Sequence, residues 1–180
     1  MPAVVAVYGS SSSSPGDGWF EAGVRCGRLL AESGYVVATG GYAGLMEAVS
    51  RGAAEAGGTV IGVTAPAAFP DRPGANAWVH EEIRAATMSE RIRTITEMSS
   101  ACIALDGSIG TLTELLVAWN TAFVAALSGA PTSPVVAVGE RWARLVRLVA
   151  EALETDRSTV TLVDDVDAAV AEIRRRVPPA

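Results

Sequence analysis

A chain of 180 residues with 20 acidic and 14 basic side chains, net charge −6, is the size of a single domain over residues 1–180. It can bury about two thirds of its unfolded surface without disulfide or metal. The acidic balance disfavours nucleic-acid partners and anionic membranes. Every basic residue is arginine, which excludes a lysine Schiff base with pyridoxal phosphate, a phosphate-loop lysine and a lysine base.

Short apolar runs alternate with longer segments of helical period. Strands are expected at 3–8, 35–39, 59–63, 79–85, 101–105, 134–138 and 159–163. Helices are expected at 19–33, 45–56, 88–99, 112–127, 141–153 and 165–176, with Gly34 and Gly57-Gly58 as stop signals. Runs such as Val4-Val5-Ala6-Val7 and Ala101-Cys102-Ile103-Ala104-Leu105 are apolar at every position, as in parallel strands covered on both faces. The expected fold is α/β, a Rossmann-like doubly wound parallel sheet with helices on both faces.

Other classes of chemistry find little support. The single histidine, His80, and the two cysteines, Cys26 and Cys102, offer no metal-ligand spacing and no CxxC pair, so no metal and no cofactor is expected. His80 reads as structural, and both cysteines as small buried hydrophobes. No basic stretch precedes the first apolar run and no apolar run reaches 18 residues; neither a signal peptide nor a membrane span is expected, and the chain reads as cytoplasmic. The first strand is followed by Gly9-Ser10-Ser11-Ser12-Ser13-Ser14, not by GxGxxG, and the second ends without an acidic residue, which argues against a nicotinamide cofactor.

In doubly wound sheets ligands bind beyond the carboxyl ends of the strands. Three such ends are rich in glycine or hydroxyl groups: Gly9-Ser10, the Gly40–Gly44 turn, and Gly107-Ser108-Ile109-Gly110-Thr111. Glycines let a ligand approach the backbone, and a following helix start offers N–H donors and a positive dipole end. The alternative is a set of tight turns that need glycine for geometry alone.

At these positions the chain resembles the LOG (Lonely Guy) family, also called lysine decarboxylase-like. Gly40-Gly41-Tyr42-Ala43-Gly44-Leu45-Met46-Glu47-Ala48, followed by Ser50-Arg51-Gly52-Ala53, is similar to the family's GGGxxGLM segment. Met88-Ser89-Glu90-Arg91 resembles MxxRK, and Gly107-Ser108-Ile109-Gly110-Thr111-Leu112-Thr113-Glu114 resembles PGGxGTxxE. The similarity runs in order from about Ala3 to Ala126. It implies a homodimeric hydrolase that cleaves the N-glycosidic bond of a nucleoside 5′-monophosphate, AMP or a cytokinin riboside monophosphate, to free base and ribose 5-phosphate. Arg91 and Glu114 occupy the family's catalytic positions. Gly9, Ser10, Gly40, Gly41, Gly44, Met88, Gly107, Ser108, Ile109, Gly110 and Thr111 are the expected phosphate- and nucleotide-binding residues. The alternative on the same fold is a non-catalytic nucleotide or phosphorylated-cofactor binder, such as a molybdenum cofactor carrier.

The chemistry suits the residue types. A carboxylate can stabilise an oxocarbenium-like ribosyl group or draw a proton from attacking water, and a guanidinium can orient it in fork geometry. Each residue also has a structural reading. Thr111-Leu112-Thr113-Glu114 has the spacing of a capping box, which would place Glu114 in the first helical turn. Arg91 borders the stripe Met88, Ile92, Ile95 and Met98, where a snorkelling surface arginine is equally at home. Glu90 and Arg93 read as solvent-facing.

Three positions depart from the family pattern. Asp106 brings a carboxylate to the mouth of a phosphate turn, Ile92 replaces the lysine of MxxRK, and Tyr42 stands where glycine is usual, to narrow the pocket or stack on a base. The irregular 64–78 segment reads as a lid or a surface excursion, with Phe69, Arg72 and Trp78 as candidates for a base pocket. Residues 115–127 are apolar nearly all round; a helix of that kind needs cover on both sides, so a homodimer anchored by Trp119 and Phe123 is expected.

Overall fold

The computed structural model describes residues 2–72 and 74–179. Seven parallel strands form one sheet: β1 (Val4–Tyr8), β2 (Val36–Thr39), β3 (Val60–Thr64), β4 (Glu81–Arg84), β5 (Ala101–Ala104), β6 (Val135–Val138) and β7 (Val160–Val163). Their order is β4-β3-β2-β1-β5-β6-β7. The direction of winding reverses between β1 and β5, and the crevice beyond their carboxyl ends is where such sheets place a ligand.

Among the described residues six helices cover the sheet: α1 (Gly18–Glu32), α2 (Leu45–Glu55), α3 (Met88–Met98), α4 (Ile109–Leu127), α5 (Glu140–Ala152) and α6 (Val166–Arg176). One apolar core lies between the sheet and α1, α2 and α6, the other between the sheet and α3, α4 and α5. Burial on both faces explains why β1, β5 and β6 are apolar at successive positions. Cys26 and Cys102 are both buried, and burial pushes each thiol up to about 12.

Several elements differ from their expected form. β4 is shorter than 79–85 and largely exposed, because it is the edge strand. Just before it, His80 uses Nδ1 to accept a hydrogen bond from the Val60 amide at 3.1 Å, a structural role. α4 starts three residues before the expected position 112, at Ile109, with Ser108 as its N-cap. The capping box expected at 111–114 is therefore absent, and Glu114 lies in the second turn. A cap of that kind occurs instead at the start of α3: the Thr87 hydroxyl accepts from the Glu90 amide at 3.1 Å, and the Glu90 carboxylate accepts from the Ala86 amide at 2.7 Å. Arg93 pairs with Glu97 on the exposed face of α3.

α4 is 19 residues long and by length and composition apolar enough to cross a membrane, unlike any segment expected from the sequence. Its Leu115, Ala118, Trp119 and Ala122 nevertheless pack into the sheet core. Trp119 is 5% exposed and donates its indole N–H to the Asp156 carbonyl, so its side chain is spent mainly on its own core. Phe123 is half-buried against the same core. The apolar side chains that α4 leaves open are Ile109, 76% exposed, with Leu116, Val124 and Leu127.

Candidate functional site

The carboxyl ends of β1 and β5 open into a cleft of about 310 Å³, at the small end of small-molecule sites. Arg91 and Glu114 form its floor. Glu114 reaches it from the second turn of α4, and Arg91 from the first turn of α3. Arg91 Nη1 donates to Glu114 Oε1 at 3.0 Å, and the residues are 5% and 8% exposed. Arg91 Nε donates to the Val63 carbonyl at 2.7 Å, and Nη2 lies 3.8 Å from Met46 Sδ. The guanidinium is thus a fixed, buried group, not a snorkelling one.

Burial is the dominant influence on Glu114 and raises its pKa above the ordinary carboxylate value; the adjacent Arg91 opposes this but does not cancel it. A nearby phenol, Tyr8, is raised well above its usual value for the same reason, with Cys102 and Glu114 adding to the effect. A carboxylate held with a raised pKa beside an immobile cation is suited to accepting a proton or facing a developing positive charge.

The rim is built from backbone. Leu112 N–H makes the first bond of α4, to the Ser108 carbonyl, which leaves the Ile109, Gly110 and Thr111 amides outside the helix ladder. Ser108 caps the helix without a side-chain hydrogen bond. These amides therefore border the cleft as potential anion donors at the positive end of the helix. Gly9, Ser10, Met88, Ser108, Ile109, Gly110 and Thr111 all line the cleft with Arg91 and Glu114.

The remaining glycines act from behind the wall. A Cβ at Gly40 would lie 1.8 Å from Arg91 Nη2 and 2.5 Å from Met46 Sδ, so Gly40 is the bed on which the guanidinium lies. Gly44, with φ +75°, would bring a Cβ within 2.4 Å of the Ser10 carbonyl, and the Leu45 amide already donates to that oxygen at 2.8 Å. Gly41 holds the turn with φ +76° and accepts from the Asn76 amide. Gly107 packs on Thr111. The Gly40–Gly44 turn thus stands behind the cleft lining, where it shapes and supports the site.

The three departures from the family pattern also find places. Asp106 pairs with Arg141 at 2.6 Å and faces a separate cavity of about 500 Å³ beside Ser12, Asp17 and Trp19. Ile92, at the position of the motif's lysine, lines the cleft. Tyr42 is buried, its hydroxyl accepting from the Ala65 amide at 2.9 Å, so it stiffens the turn and offers no open face to a base. From the 64–78 segment, Phe69 and Arg72 reach the cleft, whereas Trp78 lies away from it beneath Arg51. Sequence reasoning missed Met46 and the Val63 carbonyl as supports of Arg91. Met46 stood inside the glycine-rich motif, but a backbone carbonyl carries no sequence signal.

The SLOG cluster4 family model matches residues 2–170. The cytokinin riboside 5′-monophosphate phosphoribohydrolase of Mycobacterium tuberculosis is 33% identical over 135 residues, covering 74% of this chain and 69% of that protein. Arabidopsis thaliana LOG5, of the same name, is 36% identical over 118 residues; the match takes in 64% of this chain and 51% of the plant protein. Among solved structures, the molybdenum cofactor binding protein of Rippkaea orientalis superposes with a TM-score of 0.78 at 22% identity, covering 97% of each chain. The molybdenum cofactor carrier protein of Chlamydomonas reinhardtii gives 0.74 at 23% identity, covering 98% of this chain and 99% of that one. At such identities these two share the fold.

Proposed function

The chain belongs to the SLOG cluster4 family and to the wider LOG group, and from that premise we propose that it is a phosphoribohydrolase acting on a nucleoside 5′-monophosphate. The products are the free base and ribose 5-phosphate. The observation that carries this reading is the buried Arg91–Glu114 pair on the floor of a cleft rimmed by the open first turn of α4.

The phosphate sits against the Ile109, Gly110 and Thr111 amides, where backbone donors and the helix dipole favour an anion. That placement brings the ribose over Glu114, one turn further along the same helix. As the N-glycosidic bond breaks, the base leaves with the bonding electron pair and is protonated from solvent, while positive charge grows on the sugar; the Glu114 carboxylate faces that charge and takes a proton from the water that adds to the sugar carbon. Arg91 is held from three sides, so it keeps the carboxylate in one orientation without rearrangement during the reaction. The pair carries no net charge, which spares a developing cation the repulsion of an uncompensated guanidinium.

We also propose that the open apolar stripe of α4, from Ile109 at the cleft to Leu127, packs against a second copy in a homodimer. The test of the function is incubation with AMP and other nucleoside 5′-monophosphates, with free base and ribose 5-phosphate separated by chromatography. Release of both in equal amounts supports the reading. Nucleotides that raise the melting temperature without being cleaved would instead mark a binding protein.

A further inference from the structure

Arg72, Arg91 and Glu114 are the charged residues of the cleft wall. Arg91 and Glu114 neutralise each other, so the net charge of the cleft rests on Arg72. Arg72 has no carboxylate partner among the described residues. Its side-chain hydrogen bond goes to Ser11 Oγ at 3.4 Å, the long limit for such a contact. That serine belongs to the loop after β1, which borders the cleft beside the first turn of α4.

The side chain is nevertheless placed with care. Its guanidinium carbon lies 4.1 Å from the centre of the Phe69 ring and 4.6 Å from that of Tyr42. The two rings meet edge to face, 5.5 Å apart at 74°, and Tyr42 is pinned by its hydroxyl to the Ala65 amide. Aromatic faces hold a guanidinium without satisfying its N–H groups. With two rings already packed at these distances, what Arg72 has left for a ligand is its set of in-plane donors, and the natural match for those is an oxyanion, not a base.

We infer that Arg72 is the phosphate-gripping arm of the cleft, holding the 5′-phosphate together with the first turn of α4 and making the site select a phosphorylated sugar. The inference rests on the function proposed above and deepens it. It also unites two departures from the family motif: Ile92 removes a cation from α3, and Tyr42 supplies the ring that holds Arg72 in its place.

The test uses calorimetry with ribose 5-phosphate, beside ribose as the uncharged control, on the full chain and on Arg72→Gln and Arg72→Lys. Arg72→Gln weakens ribose 5-phosphate about tenfold to a hundredfold, as expected for loss of charge-assisted hydrogen bonds, and leaves ribose unaffected. Arg72→Lys keeps the charge without the planar fork and falls between. With AMP, Arg72→Gln raises KM by the same factor while kcat falls less than about threefold, the pattern of lost uniform binding. Equal affinity of Arg72→Gln and the parent for ribose 5-phosphate, with AMP still cleaved, overturns the inference and leaves the hydrolase standing. Arg72-dependent binding in a chain that cleaves nothing overturns the hydrolase and leaves the inference standing. A parent chain that does not bind ribose 5-phosphate overturns the inference.

Discussion

Replacing Arg91 by methionine isolates the electrostatics of the site. The variant removes the cation beside Glu114 and the donor to the Val63 carbonyl, and methionine roughly preserves the apolar volume. Glu114 then remains buried without a counter-charge, and its pKa, already above the ordinary 4.5, rises further. At pH 7 folding must then either desolvate the bare carboxylate or protonate it, whichever costs less. The cost relative to an unfolded carboxyl of pKa 4.5 is at most about 3.4 kcal/mol, from 1.36 kcal/mol per pH unit. The unsatisfied Val63 carbonyl adds about 1 kcal/mol, so the total agrees with the roughly 3–5 kcal/mol typical of a broken buried pair.

A carboxyl whose folded pKa is raised stabilises the fold less as pH climbs from its unfolded value to its folded value. Urea unfolding at pH 7 and at pH 5 therefore gives a loss for Arg91→Met that shrinks at the lower pH, by at most about 2.7 kcal/mol over the two pH units. Arg91→Met with Glu114→Leu recovers the pH-dependent part. A loss below about 1 kcal/mol at pH 7, or one equal at the two pH values, would refute the account of the pair as desolvated.

Four other outcomes are expected. Gly40→Ala drives a methyl into the space of Arg91 Nη2 and Met46 Sδ; hydrolysis falls at least about tenfold, alongside a stability loss of about 1–3 kcal/mol measured by urea unfolding. The ascending limb of kcat against pH lies above the ordinary carboxylate range and is lost in Glu114→Gln, because burial raises the Glu114 pKa; a limb near 4 would contradict this. Arg141→Ala frees Asp106 from its partner at the base of the phosphate turn and raises KM a few-fold; because the Arg141 side chain is largely exposed, stability changes by only about 1 kcal/mol or less. Leu116→Glu with Leu127→Glu converts a dimer to a monomer in light scattering, whereas a parent chain that is already monomeric refutes the proposed contact.

The sheet was legible in the sequence because strands buried on both faces must be apolar throughout, as β1 and β5 are. β4 was less so, since an edge strand obeys no such rule and half of its residues are glutamate. The start of α4 was misplaced for a local reason: Thr111 and Glu114 have capping-box spacing, while Ser108 caps the helix with no side-chain bond. At α3 the converse held, with Thr87 and Glu90 forming the cap. The motif spacing picked out Arg91 and Glu114, but not that they are buried. What buries Arg91 comes from β2, β3 and α2, through Gly40, the Val63 carbonyl and Met46, and helical periodicity carries no record of these contacts. That Trp119 packs on the sheet was not legible either, because composition cannot say which side of an all-apolar helix meets the sheet.

The most direct test of the central claim compares the parent chain and Glu114→Gln in AMP turnover, with the AMP-induced rise in melting temperature read on both. The account predicts equimolar adenine and ribose 5-phosphate from the parent, a fall of about 10²–10⁴ in kcat for the variant, and an undiminished thermal shift. Equal turnover by the two proteins would contradict it.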